Sequence, residues 1–200
     1  MRVRIVGWSA VLIETDDVAG WRAELVRRRA AGELSATEIV PGERTVLLDG
    51  VPDPEAAADL LAGWAPVPES GAESGRLVTL PVHYDGADLP RVAKRWGVGV
   101  DDVVARHTGT AFRVAFCGFA PGFGYLAGLP AELAVPRLET PRARVPAGSV
   151  ALAGRYCGVY PGPSPGGWLL IGRTEEPLFD LDADPPARLT PGTRVRFVRA

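Results

Sequence analysis

The sequence has few of the residues from which disulfide frameworks, metal centres and charged binding faces are built. It contains two cysteines and two histidines in 200 residues, and its formal net charge is −2. Two cysteines are too few for a disulfide framework. So small a net charge gives no reason to expect nucleic acid or an acidic membrane as a partner. The apolar run of about 18 residues that a membrane-spanning helix needs is missing as well, so no membrane partner is expected.

Lysine is almost missing too. Lys94 is the only lysine among the 22 Lys and Arg residues, which leaves 21 arginines. Lysine Schiff-base or lysine-nucleophile chemistry is therefore not expected, whereas the arginines offer fork-shaped donors that suit carboxylate or phosphate. The first 14 residues lack the apolar stretch and the small-residue cleavage site of a signal peptide, so a cytoplasmic protein is expected.

The first part of the chain alternates between strand and helix patterns. Apolar and β-branched runs predict strands at 3–6, 10–14, 37–40, 45–48 and 77–83. Asp53-Pro54 predicts the start of the second of two helices, whose buried side is expected to carry Leu60, Leu61 and Trp64. The order strand, helix, strand, strand, helix, strand is a split β-α-β pattern, and we expect a small α/β sandwich over residues 1–78.

The second part changes character along its length. Helical spacing predicts two short helices between Asp88 and His107, with Gly97 ending the first. Short strands separated by Gly/Pro loops follow, at 112–117, 149–153, 168–171 and 194–198. Residues 118–167 are so rich in glycine and proline that mostly structured loop is expected there. We therefore expect a β-barrel over residues 79–200 and an α+β class for the chain.

The first of three unusual loops follows a predicted strand and reads Gly118-Phe119-Ala120-Pro121-Gly122-Phe123-Gly124-Tyr125-Leu126. Glycines allow a ligand to approach the backbone closely, and aromatic rings provide flat apolar walls. A tight structural corner between barrel strands would have the same composition. The loop has no Lys-Ser/Thr pair after its last glycine, so it is not a nucleotide-binding P-loop.

The second loop places two arginines on a stiff backbone. Arg137 and Arg142 each follow a proline, five residues apart, within 136–149. Proline lowers the entropy lost when a guanidinium is held in place, and such a pair suits a carboxylate or phosphate. Surface ion pairs with Glu139, Asp180 or Asp182 explain the arginines equally well.

The third loop, 160–168, contains Ser164 but lacks the Gly-x-Ser-x-Gly elbow of a serine nucleophile. Neither His83 nor His107 can be linked to it, so Ser164 is interpreted as a hydrogen-bond donor to a ligand or as a turn residue.

Metal and acid–base chemistry find little support in the residue pattern. The spacings among His83, His107, Cys117 and Cys157 include no paired metal ligands, so no metal site is expected. The three loops hold few carboxylates and no histidine, whereas general acid–base catalysis needs a titrating group within hydrogen-bond reach. We therefore expect a partner to supply that group and the chain to be inactive alone.

Three segments carry a resemblance to a known family. FCGFAPGFGYL (116–126), PRLETPRARVPAGS (136–149) and GVYPGPSPGGWLLIGRTEEPLF (158–179) resemble the B subunit of prokaryotic 5-oxoprolinase. The family includes proteins called allophanate hydrolase subunit 1 and the kinase inhibitor KipI, and its domain is known as carboxyltransferase subdomain C and D. The resemblance extends from about His83 to the end of the chain.

The resemblance implies an N-terminal α/β domain, a C-terminal cyclophilin-like β-barrel and a hydrolase that works as a complex. The partners would be a larger C subunit, of the carboxyltransferase subdomain A/B type, and an A subunit. ATP would be the co-substrate for opening 5-oxo-L-proline to L-glutamate, with no metal or biotin on this chain. The family's marked residues fall on Gly118, Phe119, Pro121, Gly122, Arg137, Pro141, Arg142, Pro146, Gly148, Ser149, Ser164, Pro165, Gly167 and Trp168. All of them except Pro141 are expected to bind the substrate or an anion.

Two other functions stay open at this point. The chain could belong to an allophanate hydrolase or urea carboxyltransferase system, or it could be a non-enzymatic inhibitor of a sensor histidine kinase.

Overall fold

The computed structural model describes residues 1–67 and 75–200, which fall into two compact units. The first unit is Met1–Ser74 and the second is Gly75–Ala200. The division therefore comes a few residues before position 78, where the sequence pattern placed the domain boundary.

The first unit is a four-stranded antiparallel sheet with two helices. Its elements are β1 (Arg2–Val6), β2 (Ala10–Glu14), α1 (Val18–Ala30), β3 (Glu38–Pro41), β4 (Thr45–Asp49) and α2 (Pro54–Ala62). The strands are ordered β1-β2-β4-β3. The buried apolar side chains that hold it together include Val11, Ile13, Trp21, Leu25, Val46, Leu48 and Leu61.

Helix α2 starts where the sequence predicts, and each helix of this unit begins at a capping aspartate. The carboxylate of Asp17 accepts a hydrogen bond from the Gly20 backbone N–H at 2.9 Å, and Asp53 caps α2 in the same way. The prediction that Leu60 is buried is wrong, because its side chain is 48% exposed. Ala57 and Leu61, four residues apart, share the buried face of α2, and Leu60 falls beside that face.

The last turn of α1 carries Arg27, Arg28 and Arg29, which complement the negative end of the helix dipole, and two of them also pair with a carboxylate. Arg27 and Arg28 donate hydrogen bonds to the buried carboxylate of Glu24 at 2.7 and 2.6 Å. These hydrogen bonds lower the pKa of Glu24 to about 2, against the effect of its burial. Arg28 also stacks on the Trp64 ring, with 4.5 Å from Cζ to the ring centroid.

The second unit consists of a seven-stranded sheet, two helices and a small two-stranded sheet. Its elements are β5 (Leu77–Val82), α3 (Leu89–Trp96), α4 (Val100–Gly109), β6 (Phe112–Cys117), β7 (Gly124–Ala127), a 3₁₀ turn (Ala131–Leu133), β8 (Arg142–Val145), β9 (Ser149–Ala153), β10 (Tyr156–Val159), β11 (Ser164–Gly166), β12 (Leu169–Arg173) and β13 (Arg194–Arg199). The large sheet has the order β12-β9-β10-β7-β6-β13-β5, and β11 pairs with β8. Strands β7 to β11 lie within 118–167 but leave most of that segment as structured loop, as expected.

The large sheet curls until its two edge strands meet, which confirms the cyclophilin-like barrel. β5 pairs with β13 in parallel, so this strand belongs to the barrel and not to the split β-α-β order of the first part. Just after β5, His83 exchanges two backbone hydrogen bonds of 2.9 Å with Arg173 at the end of β12. Gly86 continues the contact, and its lack of a side chain is required because a Cβ there would lie 2.4 Å from the β12 backbone.

The barrel wall separates two groups of buried apolar side chains. The inner core gathers residues from all seven strands of the large sheet and from both helices, including Leu80, Val92, Val114, Leu126, Leu152, Cys157, Ile171 and Phe197. The outer cluster consists of Phe123, Val145, Ala151, Ala153, Tyr160 and Trp168. Alternate residues of β9 feed the two groups, since successive side chains of a strand point to opposite faces.

In the described part of the chain, no helix combines the length and apolar composition that crossing a membrane requires.

Candidate functional site

The loop between β6 and β7 folds into two consecutive tight turns. Phe123 donates its backbone N–H to the Ala120 carbonyl at 3.0 Å, with Pro121 and Gly122 between them. Gly122 has φ +81°, so proline and glycine occupy the positions they favour in a type II turn. A Cβ on Gly122 would lie 2.7 Å from that of Phe179, so this glycine is needed for both its conformation and its packing.

Phe119 adopts a strained backbone conformation in the same loop. The Ala120 N–H donates to the Gly118 carbonyl at 2.8 Å, and Phe119 between them has φ +68°. This is a γ-turn with positive φ, a rare and strained form, and Phe119 is the only non-glycine residue with positive φ in residues 1–67 and 75–200. Its side chain is 58% exposed. An aromatic ring held outward on a strained backbone is typical of a binding loop.

Contacts between aromatic rings connect this loop with the third loop. The Phe119 ring lies 5.2 Å from Phe123 and 6.0 Å from Tyr160, edge to face. Phe123 in turn lies 5.4 Å from both Tyr160 and Trp168. Tyr125 completes the group at 5.6 Å from Trp168. The predicted first and third loops therefore share one rigid aromatic base.

Arg137 from the second loop lies over this base. Its guanidinium carbon is 5.9 Å from the centroid of the Trp168 ring, a cation–π contact. The residue is exposed, and within the part of the chain that the structure describes no carboxylate pairs with it. The hydrogen-bond donors of its guanidinium therefore remain available to an anion.

Arg142 follows a proline, as Arg137 does, but its guanidinium has partners within the chain. Its Nη2 donates to both carboxylate oxygens of Asp88, at 2.9 and 2.7 Å, and its Nη1 donates to the Trp168 carbonyl at 3.3 Å. Asp88 is buried, with 7% exposed. The charge of Arg142 is thus compensated within the chain, by a carboxylate outside the three candidates that the sequence suggested.

Two hydroxyl groups lie in the third loop. The Ser164 Oγ is buried and has no hydrogen-bond partner in the described residues. Tyr160 is 2% exposed, and its burial raises the pKa of the phenol, although a backbone hydrogen bond from Trp168 and the nearby charge of Arg137 act the other way. Tyr160 therefore stays neutral, and both groups suit hydrogen bonding better than proton abstraction.

The remaining predicted residues build the frame of the site. Ser149 Oγ donates to the Pro146 carbonyl at 2.8 Å, and Gly148 has φ +75° with the Thr174 carbonyl directly against it. Gly167 accepts a hydrogen bond from Leu138 N–H at 2.7 Å, which joins the second loop to the third. The other predicted residues, Gly118, Pro121, Pro141 and Pro165, are exposed.

Of the two histidines, His83 is exposed just after β5, whereas His107 is buried. His107 is fully buried in the inner core, where Nδ1 lies 2.8 Å from the Tyr84 hydroxyl and Nε2 lies 3.3 Å from Cys157 Sγ. Burial lowers the pKa of His107 to about 3 and raises that of the Cys157 thiol. His107 is therefore neutral at physiological pH. In the described part of the chain, no three His, Cys, Asp or Glu side chains are grouped so that they could hold a metal ion.

Three residues of the site, Phe123, Tyr160 and Asp88, were not among the residues predicted for it. Phe123 and Tyr160 lie inside the quoted loops, and their signal was the recurrence of aromatic residues in segments that otherwise consist of glycine and proline. Asp88 gave no local signal, because its partner Arg142 lies 54 residues further along the chain.

Comparison with known proteins gives a consistent picture. The chain matches the family model "Carboxyltransferase domain, subdomain C and D" over residues 1–189. It is 39% identical, over 98% of its length and 95% of the relative's, to the B subunit of 5-oxoprolinase from Escherichia coli O157:H7. It is 43% identical to the B subunit of 5-oxoprolinase from Bacillus subtilis (strain 168), over 68% of its own length and 58% of that relative.

Solved structures agree on the fold. The crystal structure of TTHA0988 is 35% identical with a TM-score of 0.77; the alignment covers 96% of this chain and 40% of that chain, which is therefore much longer. The Kluyveromyces lactis urea carboxylase has a TM-score of 0.73 at 19% identity, covering 99% of this chain and 21% of that one. This second likeness is one of fold.

Proposed function

The chain belongs to the family of the carboxyltransferase domain, subdomain C and D, and on that premise we propose that it is the B subunit of an ATP-dependent 5-oxoprolinase complex. The observation that carries the proposal is the 39% identity, over nearly the full length of both chains, with a relative of that name. In this proposal the chain acts with a larger C subunit and an A subunit, in the cytoplasm where ATP is at hand, and has no activity alone.

The outer surface of the barrel supports the proposal chemically. 5-Oxo-L-proline is a small flat lactam with one carboxylate, so it needs a cationic donor and an apolar wall. Arg137, stacked on Trp168, supplies the donor for the carboxylate. The exposed Phe119 ring supplies the wall.

The acid–base chemistry and the ATP site are assigned to the other subunits. Asp88 is neutralised by Arg142, and His107 is buried in the inner core. Neither is therefore suited to move a proton at a substrate on the outer surface. The chain's own contribution in this proposal is to bind and orient the lactam.

The test is ATP-dependent release of glutamate from 5-oxoproline by the complex assembled from this chain and its neighbouring subunits. Turnover should require this chain. Arg137→Met, which keeps an apolar contact with Trp168 but removes the charge, should raise KM for 5-oxoproline about 10- to 100-fold.

Arg91→Met is the matched control, because Arg91 is an exposed arginine on α3 with no ion pair in the described part of the chain. Its KM should equal that of the wild type. A wild-type complex that assembles without turning over 5-oxoproline would refute the proposed function. An unchanged KM in Arg137→Met would place the substrate carboxylate elsewhere.

A further inference from the structure

The carboxylate of Asp88 is used in an unexpected way. Asp88 is at the N-cap position of α3, where an aspartate normally accepts a hydrogen bond from the first turn of the helix, yet its side chain makes no capping bond. Both oxygens instead accept from Arg142, and Oδ2 also accepts from the Leu170 N–H at 2.7 Å. The Asp88 N–H donates to the Leu170 carbonyl at 2.9 Å. Asp88 therefore forms hydrogen bonds with both backbone groups of Leu170 in β12, the N–H and the carbonyl.

These contacts lead step by step to the candidate anion site. Asp88 fixes Arg142, whose Nη1 donates to the Trp168 carbonyl, and Leu170 follows two residues after Trp168. The backbone of Arg142 pairs with Gly166 in the two-stranded sheet. Trp168 is thus held from both ends, and its ring supports the guanidinium of Arg137.

We infer that Asp88 is a positioning residue for the anion-binding surface, acting through Arg142 and Trp168 on the place of Arg137. Asp88 itself touches no substrate, being buried beneath the surface. This inference rests on the proposed function of the chain, since it assigns a role within the same site. The two arginines then have different roles: Arg137 faces the ligand, whereas Arg142 connects Asp88 to Trp168.

The experiment compares Asp88→Asn with wild type in the assembled complex. Asparagine has the same shape but loses the charge and turns a donor toward Arg142 or Leu170, so the support of Trp168 loosens. We expect KM for 5-oxoproline to rise about tenfold while kcat changes less than about twofold. In the double variant Asp88→Asn/Arg142→Gln, KM should be no higher than in Arg142→Gln alone, since both residues act along one path.

A second readout does not depend on activity. The chain has five tryptophans, and the emission spectrum of Trp168 is obtained as the difference between a protein and its Trp168→Phe counterpart. Asp88→Asn should shift this difference spectrum. Asp85→Asn should leave it unchanged, because Asp85 is a half-exposed carboxylate of the same segment that pairs with Arg173 at 2.8 Å.

The outcomes are distinguishable. A lowered thermal midpoint in Asp88→Asn, with wild-type KM and wild-type Trp168 emission, would overturn the inference and leave Asp88 a purely structural residue. If Asp88→Asn does not fold, Asp88→Glu, which keeps the charge, is measured in its place with the same criteria. If the wild-type complex does not turn over 5-oxoproline, the proposed function fails, and the Trp168 emission still decides whether Asp88 positions that ring.

Discussion

The inner core and the outer cluster share strand β9 but differ in which groups they leave exposed or without a partner. Inside the barrel, the two ring nitrogens of the fully buried His107 lie within hydrogen-bond distance of the Tyr84 hydroxyl and of Cys157 Sγ. Outside, the aromatic base ends in an exposed phenylalanine and an exposed arginine, and the third loop contains the Ser164 hydroxyl, which has no hydrogen-bond partner among the described residues. The polar groups of the inner core therefore have partners within the core, whereas the outer surface exposes the ring and the guanidinium that we propose for ligand binding.

Strand β9 shows how one segment serves both sides. Val150 and Leu152 fill the inner core, whereas Ala151 and Ala153 face outward. The small outward side chains leave room for the rings of Phe123, Tyr160 and Trp168. Volume is thus matched separately on each face, as close packing requires. The comparison predicts that equivalent substitutions will affect stability on the inside and ligand binding on the outside.

The largest expected effect comes from deleting a phenylalanine ring on each side. Phe197→Ala removes a fully buried ring from the inner core and should lower the free energy of unfolding by about 3–5 kcal/mol. Phe119→Ala removes an exposed ring and should change it by less than about 1 kcal/mol, while raising KM of the complex. Urea unfolding of the isolated chain measures the free energy of unfolding of both variants. Equal losses of stability would contradict the distinction between the two faces.

The second prediction concerns acid. Because burial lowers the pKa of His107 to about 3, the unfolded chain binds a proton at its ordinary pKa of about 6.5 while the folded chain does not. Stability should therefore be complete above about pH 7 and fall as the pH decreases, by about 2 kcal/mol between pH 7 and pH 5.

Denaturant midpoints over this pH range test the prediction. His107→Gln should lower stability at pH 7 but remove most of this dependence on pH. The exposed His83 is the matched control, and His83→Gln should keep the wild-type slope. A wild-type slope in His107→Gln would mean that other groups cause the acid sensitivity.

The smallest expected effect separates strain from binding at a single residue. Phe119→Gly relieves a positive φ that a side chain disfavours by about 1–2 kcal/mol, while glycine loses more backbone entropy on folding. The net result should be a gain of up to about 1 kcal/mol in the free energy of unfolding relative to Phe119→Ala. Both variants should bind 5-oxoproline in the complex more weakly than the wild type. A Phe119→Gly variant less stable than Phe119→Ala would show that the γ-turn is not strained.

Much of the fold follows from local patterns because those patterns have local causes. Asp53-Pro54 starts α2 and Gly97 ends α3 in a left-handed conformation, φ +66°, since capping involves only neighbouring backbone groups. The strand Leu77–Val82 shows the limit of such patterns. Its alternation fits either sheet, and only pairing with β13, more than 100 residues away, places it in the barrel.

The candidate site divides in the same way. The three loops could be found from their composition, and the structure joins them through Phe123, Tyr160 and Trp168. The γ-turn at Phe119 could not be predicted, because an L-residue takes positive φ only when its surroundings impose it. It could not be predicted either that the Ser164 hydroxyl is buried without a hydrogen-bond partner among the described residues, since the burial of a single atom depends on everything packed around it.

What the sequence by itself determined was the kinds of residue available and the stiff backbone on which they stand. Pro136-Arg137 and Pro141-Arg142 are equivalent by that standard. Only the tertiary structure made them different, because the barrel closes along the segment that contains Asp88 and brings its carboxylate to Arg142. Arg142 is therefore part of the structural frame, because its charge is paired with a buried carboxylate. Arg137 lies over an aromatic ring at the surface, where its charge is available to a ligand.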